Sequence, residues 1–261
     1  MVFRLRPARF KLPMVGALLA ALFMFSPSWL SAEGRSAPSG HAGHEAMSMA
    51  MDGQAQMDAA HQRKLLADKK ESEFNHHLAG FFVIFAGIFI LGEGALARRR
   101  SFLRFTWPAC FLLSGLFLLV FSDTELWPFG PQSWWYGLSH NLEDLQHKTF
   151  AVILLALGII EVQRARGVLK SAWAAWVFPV LAFCGSVMLL FHQHHSGMHG
   201  PDHMTVMARI QAEHTSFAAA GFGIGVFKGL SELPSRWQLI FARLWSLVMI
   251  VLGVLLLLYT E

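Results

Sequence analysis

Six stretches of this 261-residue chain, at roughly 77–97, 102–122, 148–164, 171–192, 205–228 and 237–259, are built almost wholly from apolar residues. A helix needs about 20 such residues to cross a hydrocarbon layer about 30 Å thick, and each of these runs approaches or exceeds that length. Inside lipid the backbone must satisfy its own hydrogen bonds, and uninterrupted apolar runs do so as helices. The expected fold class is therefore all-α: a polytopic membrane protein, a bundle of six transmembrane helices arranged as three hairpins in the lipid bilayer.

The basic residues orient that bundle. Arg98, Arg99, Arg100 and Arg104 follow the first run, Arg164, Arg166 and Lys170 the third, and Lys228 and Arg236 the fifth. The alternate turns hold little more than Lys148 and Arg209. Short cytoplasmic loops retain Lys and Arg, so the three basic turns are expected inside and both ends of the mature chain outside. Trp127, Trp134, Trp135 and Tyr136 then fall at the outer interface, and Trp107, Trp173, Trp176 and Trp237 at the inner one. The net charge of +4 is accounted for by this topology, and no nucleic-acid partner is expected.

Ahead of the first run, Arg4, Arg6, Arg9 and Lys11 precede LPMVGALLAALFMF and a small-residue ending at Ala32. Residues 1–32 are expected to be a secretory signal peptide, which places the protein in a bacterial inner membrane as a multi-pass protein. Residues 33–73 are polar and low in aromatics, with His41, His44, Met47, Met49, Met51, Met57 and His61 scattered through them. They cannot bury enough apolar surface to fold alone and are expected to form a disordered extracytoplasmic arm, becoming helical after Met57, ahead of a transmembrane domain over 74–261. Two cysteines, Cys110 and Cys184, both lie inside apolar runs, which excludes a disulfide framework and suits them to helix packing.

With this topology all thirteen histidines fall in the arm, in an outer turn or in the outermost turns of a helix. The three inward-running helices open on HHLAGFFVIFAG, QHKTFAVILLALG and EHTSFAAAGFGIG, placing His77, His147 and His214 at equivalent depths. An ionisable side chain at the top of a membrane helix faces the bundle interior or a watery cavity, so the three can converge. A further cluster, LLFHQHHSGMHGPDH, supplies His192, His194, His195, Met198, His199 and His203. Imidazole suits copper, zinc, nickel and iron, while thioether sulfur selects Cu(I). Histidine mixed with methionine, away from cysteine, points to copper, as Cu(I) or Cu(II), ahead of zinc. Glu143 and Asp144, between His140 and His147, can orient an imidazole or cap the helix start. Glu93 and Glu161, near the inner ends, are expected to pair with neighbouring arginines.

GSVMLLFHQHH followed by QAEHTSFAAAGFGIGVFKGLSEL resembles the copper resistance protein D (CopD)-like membrane proteins, through Gly185, Leu189, Leu190, His192, His194, His214, Thr215 and Ala218. LEDLQHKTFAVILLALGIIE, carrying His147, is a weaker stretch of the same likeness. The resemblance implies an inner-membrane protein that handles copper together with a periplasmic copper carrier protein. Gly225, Phe227 and Lys228 stand where that family has an aromatic–Arg ending.

Three functions compete. The first is a copper-binding protein taking part in copper resistance, uptake or transfer, with a His/Met site at the periplasmic face. The second is a b-type cytochrome whose haem is held by two histidines on different helices. The third is a structural or assembly subunit with interfacial imidazoles. No nucleophile elbow, phosphate loop or paired-carboxylate arrangement is present, so no enzymatic activity is expected.

Overall fold

The computed structural model describes residues 44–96, 101–192 and 201–260, with the side chains of 44–55, 58, 94–96, 101 and 201–203 left aside. The expected signal peptide lies outside the described residues. The chain divides into two compact units, Met1–Met51 and Asp52–Glu261. Of the first, only the helical backbone from His44 onward is described.

The described residues form seven helices without strands: α1 (His44–Leu96), α2 (Thr106–Phe121), α3 (Trp134–His140), α4 (Leu142–Ala165), α5 (Ala172–Leu190), α6 (Pro201–Glu232) and α7 (Gln238–Leu257), with a 3-10 turn at Ser101–Phe105. Among the described residues the arm is already helical from His44, ahead of Met57. Ala, Met, Gln, Glu and Lys, which dominate the stretch, are strong helix formers and need no buried face to adopt one.

Five helical segments are long and apolar enough to cross a membrane: Ala59–Glu93, Phe102–Phe121, Leu142–Ala165, Ala172–Leu190 and Gln238–Leu257. The chain is a multi-pass helical membrane protein. The remaining long helix, α6, carries Glu213, His214, Thr215 and Ser216 in its middle turns and Gly221, Gly223, Gly225 and Gly229 after them, which dilute its hydropathy below that of the other five. At most a third of each spanning segment is buried within the protein, so the large apolar side chains of Phe81, Phe85, Val152, Leu247 and Val251 face outward, where lipid accommodates them.

The helices close into a ring. α2 packs on α4, α4 on α5, α5 on α6, and α6 on α7. Gly80 of α1 meets Gly253 of α7 so closely that a Cβ on either would lie 2.7–2.8 Å from the other's carbonyl oxygen. Small residues permit this approach, and in lipid such packing replaces the hydrophobic drive that joins helices in water. α1 returns to α2 through the Phe74–Phe117 ring contact and an Asn75 side-chain amide donating to the Ser122 carbonyl at 3.1 Å.

Within the ring, Trp107 and Phe111 of α2, Phe178 of α5 and Trp245 of α7 pack edge to face with ring centres 5.5–6.3 Å apart. Offset and edge-on aromatic pairs add about 0.5–1.5 kcal/mol each beyond their burial. Trp107 lies at the arginine-rich end, beside Arg104 and Lys228, but is turned into this core and only 6% exposed. Trp173, Trp176 and Trp237 are exposed at the arginine-rich end, and Trp127, Trp135 and Tyr136 at the other.

That other end is covered by a cap, residues 122–141, in which Ser133 and Asn141 start α3 and α4 as N-caps, accepting from the Tyr136 and Glu143 backbone amides. Glu71 of α1 accepts from the Thr124 backbone and hydroxyl, and Lys64 pairs with Glu125 at 2.6 Å, tying the cap down. At the opposite end Arg164 bridges Glu161 and Glu232 at 2.8 and 2.9 Å, and Lys228 pairs with Glu232. Glu161 thus pairs with an adjacent arginine, as its position suggested.

Candidate metal centre

Under the cap, four imidazoles from four different segments line up inside the ring of helices. His147 comes from the second turn of α4, His192 from the residue after the C-cap of α5, His214 from α6 and His76 from α1. Ring centres are 5.5 Å apart for His147 and His192, 4.8 Å for His192 and His214, and 5.7 Å for His214 and His76. His192 and His214 are 4% and 1% exposed, so both rings have left water and their polar edges must be satisfied internally.

Each ring is held by its Nδ1. His147 Nδ1 lies 2.8 Å from Asp123 Oδ1, His192 Nδ1 2.6 Å from Gln146 Oε1, His214 Nδ1 2.8 Å from the Ile210 carbonyl and His76 Nδ1 2.8 Å from the Ser72 carbonyl. A carbonyl oxygen only accepts, so for the last three the proton sits on Nδ1 and the lone pair on Nε2. The Asp123 carboxylate imposes the same tautomer on His147. The bonds of His76 and His214 run back four residues along their own helices, a geometry also seen at exposed His140 with the Tyr136 carbonyl. Those of His147 and His192 reach 24 and 46 residues away and are features of the tertiary fold.

The supporting groups are themselves braced. Asp123 receives the Lys148 ammonium at 2.6 Å and the Ser122 hydroxyl, and Lys148 also donates to the Leu118 carbonyl and to Ser122 Oγ at 3.2–3.3 Å. Lys148 lies 5.5 Å from the centre of the Trp134 ring. Burial pushes the Asp123 carboxyl upward, but the bond and charge of His147 together with the Lys148 charge outweigh it and hold the group below the usual carboxylate range. Gln146, besides orienting His192, donates through Nε2 to the Phe191 carbonyl at 3.2 Å, fixing the end of α5 where His192 emerges.

Glu143, one turn before His147, completes a group in which the donor atoms of Glu143, His147 and His192 all lie within 4.8 Å of one another. That spacing is what a single ion bridging a carboxylate and two imidazoles requires after small side-chain rotations, with metal–nitrogen bonds of about 2.0–2.1 Å. Below the imidazoles the ring of helices holds a cavity of about 240 Å³ whose walls are mostly apolar, with Phe150, Leu154, Phe178, Leu181 and Met249 beside Ser114 and Ser186.

Of the residues singled out from sequence, His147, His192 and His214 come together. His77 lies beside the row, its Nε2 3.0 Å from the Tyr259 carbonyl, and it is the neighbouring His76 that enters the row, stacked on the Tyr259 ring at 3.9 Å. His194, His195, Met198 and His199, and the side chain of His203, lie outside the described residues. His76, Asp123, Gln146 and Lys148 are the participants that sequence reasoning passed over. The signal for His76 is its phase: Asn75, His76, Ala79 and Val83 line the central cavity together, while Phe81 and Phe85 face outward. Both cysteines are free thiols, and Cys110 is buried in the aromatic core, donating to the Thr106 carbonyl.

Comparison with protein-family models, curated proteins and solved structures finds no match for this chain.

Proposed function

We propose that this is a copper-binding protein of the bacterial inner membrane that crosses the bilayer six times and holds copper under its periplasmic cap. The observation that carries the reading is the imidazole row with its fixed tautomers. Four rings from four segments, two buried and two half-buried, each held by Nδ1, with Glu143 beside His147 and His192, make a donor set for a late first-row metal and have little other use inside a membrane bundle. Asp123 acts on His147 as the outer carboxylate of a carboxylate–histidine–metal arrangement, orienting the ring and raising its basicity.

Copper is favoured over zinc by the absence of cysteine from the described donor set and by the methionines that travel with the histidines in the arm and around Met198. The likeness to CopD-like proteins, carried by His192, His194, His214 and Thr215, supports the same metal and implies a periplasmic copper carrier as partner. The arginine-rich end, with Arg104, Arg164 and Lys170, is then cytoplasmic and the cap periplasmic. The role is binding and transfer, without catalysis.

A bis-histidine haem fits less well. A porphyrin must stand between its two imidazoles, and the His192 and His214 rings, 4.8 Å apart, leave no room for one between them. The cavity beneath, about 240 Å³, is also below the roughly 300 Å³ at which sites for small organic ligands begin.

Elemental analysis and an absorption spectrum of protein purified without chelators test the proposal together. Copper is expected with no Soret band, and a His147→Ala/His192→Ala/His214→Ala variant is expected to lose the tightly held fraction. Copper affinity and stoichiometry unchanged in that variant, or a Soret band in the wild type, would remove the proposal.

A further inference from the structure

The row of imidazoles is longer than one ion can use. Two imidazoles bound to one ion through bonds of about 2.0–2.1 Å keep their ring centres within about 6 Å of each other. Every neighbouring pair in the row meets that limit, at 5.5, 4.8 and 5.7 Å. The contacts nevertheless run in succession, from His147 to His192, to His214, to His76, and not around a common centre. At one end Glu143, His147 and His192 gather three donor atoms within 4.8 Å. At the other, His214 of α6 and His76 of α1 meet edge to face at 89°, with both Nδ1 hydrogens committed to backbone carbonyls.

We propose that His76 and His214 form a second copper position beside the first, so that the capped end of the bundle holds two ions at once. The inference rests on the copper-binding reading and adds a site to it. The two positions differ in chemistry. The first offers a carboxylate oxygen with two imidazoles, and Asp123 and Lys148 brace it from behind. The second offers imidazole nitrogen between the aromatic walls of Phe217 and Tyr259, whose rings approach both His76 and His214 within 6.2 Å. Donors of unlike hardness side by side allow one ion to be held in each of two states, or to pass between adjacent positions without entering water.

The test is copper(II) loading of the full-length chain in detergent followed by electron paramagnetic resonance. Two Cu(II) ions a few ångströms apart interact magnetically, whereas ions scattered along the His/Met-rich arm do not. The wild type is expected to show the interacting pair. His76→Gln is expected to reduce it to an isolated-ion signal, and His214→Gln to do so from the other partner, with helical circular dichroism confirming that each variant is folded. His140→Gln, an exposed imidazole outside the row, is expected to keep the pair. A single isolated ion retained by the wild-type bundle, or an interacting pair that survives in folded His76→Gln, overturns the second position and leaves copper binding standing. A wild-type bundle that retains no copper overturns both.

Discussion

Lys148 and Asp123 are buried against each other next to His147, where the sequence marked Lys148 only as one of the few basic residues of the outer turns. A buried ion pair contributes little net stability, but removing one partner strands the other, at a cost of about 3–5 kcal/mol. Asp123→Asn is therefore expected to destabilise the protein by that order at neutral pH, measured as a fall in thermal midpoint in detergent. The sign with pH follows from the depressed carboxyl. The native group titrates below the unfolded value of about 3.9, so its contribution is fully present above that value and is lost as pH falls through the native one. The gap between wild type and Asp123→Asn is expected to close in stronger acid, as pH falls below about 3.9 and through the native value. A gap that persists unchanged at pH 2 would show that Asp123 is not held as a carboxylate. At this scale the site was half legible. His147, His192 and His214 announce themselves at helix openings and ends, but the choice between adjacent His76 and His77 depends on helix phase. A helix apolar on its lipid face as well as its protein face has no polar stripe to reveal that phase. Asp123 and Gln146 reach their histidines across 24 and 46 residues, distances that no local pattern records.

The helices were legible wherever the length of an apolar run decides the outcome, because that length is set by the thickness of the bilayer. Five of the six expected crossings coincide with helical segments of the required length and composition. α6 shows the limit of the argument: its polar turn at 213–216 and its glycines serve the His214 site and the close packing of α5, and they cost it the hydropathy by which a crossing is recognised. How the helices meet was not legible, since glycine in a membrane run is common and only the paired approach gives it meaning. The α1–α7 crossing at Gly80 and Gly253 is the most exacting of these approaches. Gly253→Leu is expected to push α1 away from α7, with an overpacking cost of about 1–3 kcal/mol, and to weaken copper retention by carrying His76 away from His214. Gly92→Leu, at a position where a Cβ meets nothing within 4 Å, is the matched control and is expected to change neither thermal midpoint nor copper content.

For the molecule as a whole, the ring of helices has two unlike ends separated by a dry middle. The capped end gathers imidazoles, and the arginine end gathers Glu161, Arg164, Lys228 and Glu232 into a chain of ion pairs. Between them stand the apolar cavity and the Trp107, Phe111, Phe178 and Trp245 core. A copper ion stripped of ligands in that layer would face a Born penalty on the order of 20 kcal/mol, and among its aromatic and aliphatic side chains only the Cys110 and Met249 sulfurs and the Ser114 and Ser186 hydroxyls could offset part of it. Proteoliposomes containing the purified protein are accordingly expected to show no more copper entry than protein-free vesicles. Uptake above that background, abolished by His192→Ala, would contradict the expectation. The aromatic floor thus makes the imidazole row a harbour with one mouth. On the copper-binding reading, whatever docks there is expected to leave on the side from which it arrived, past the same cap in both directions.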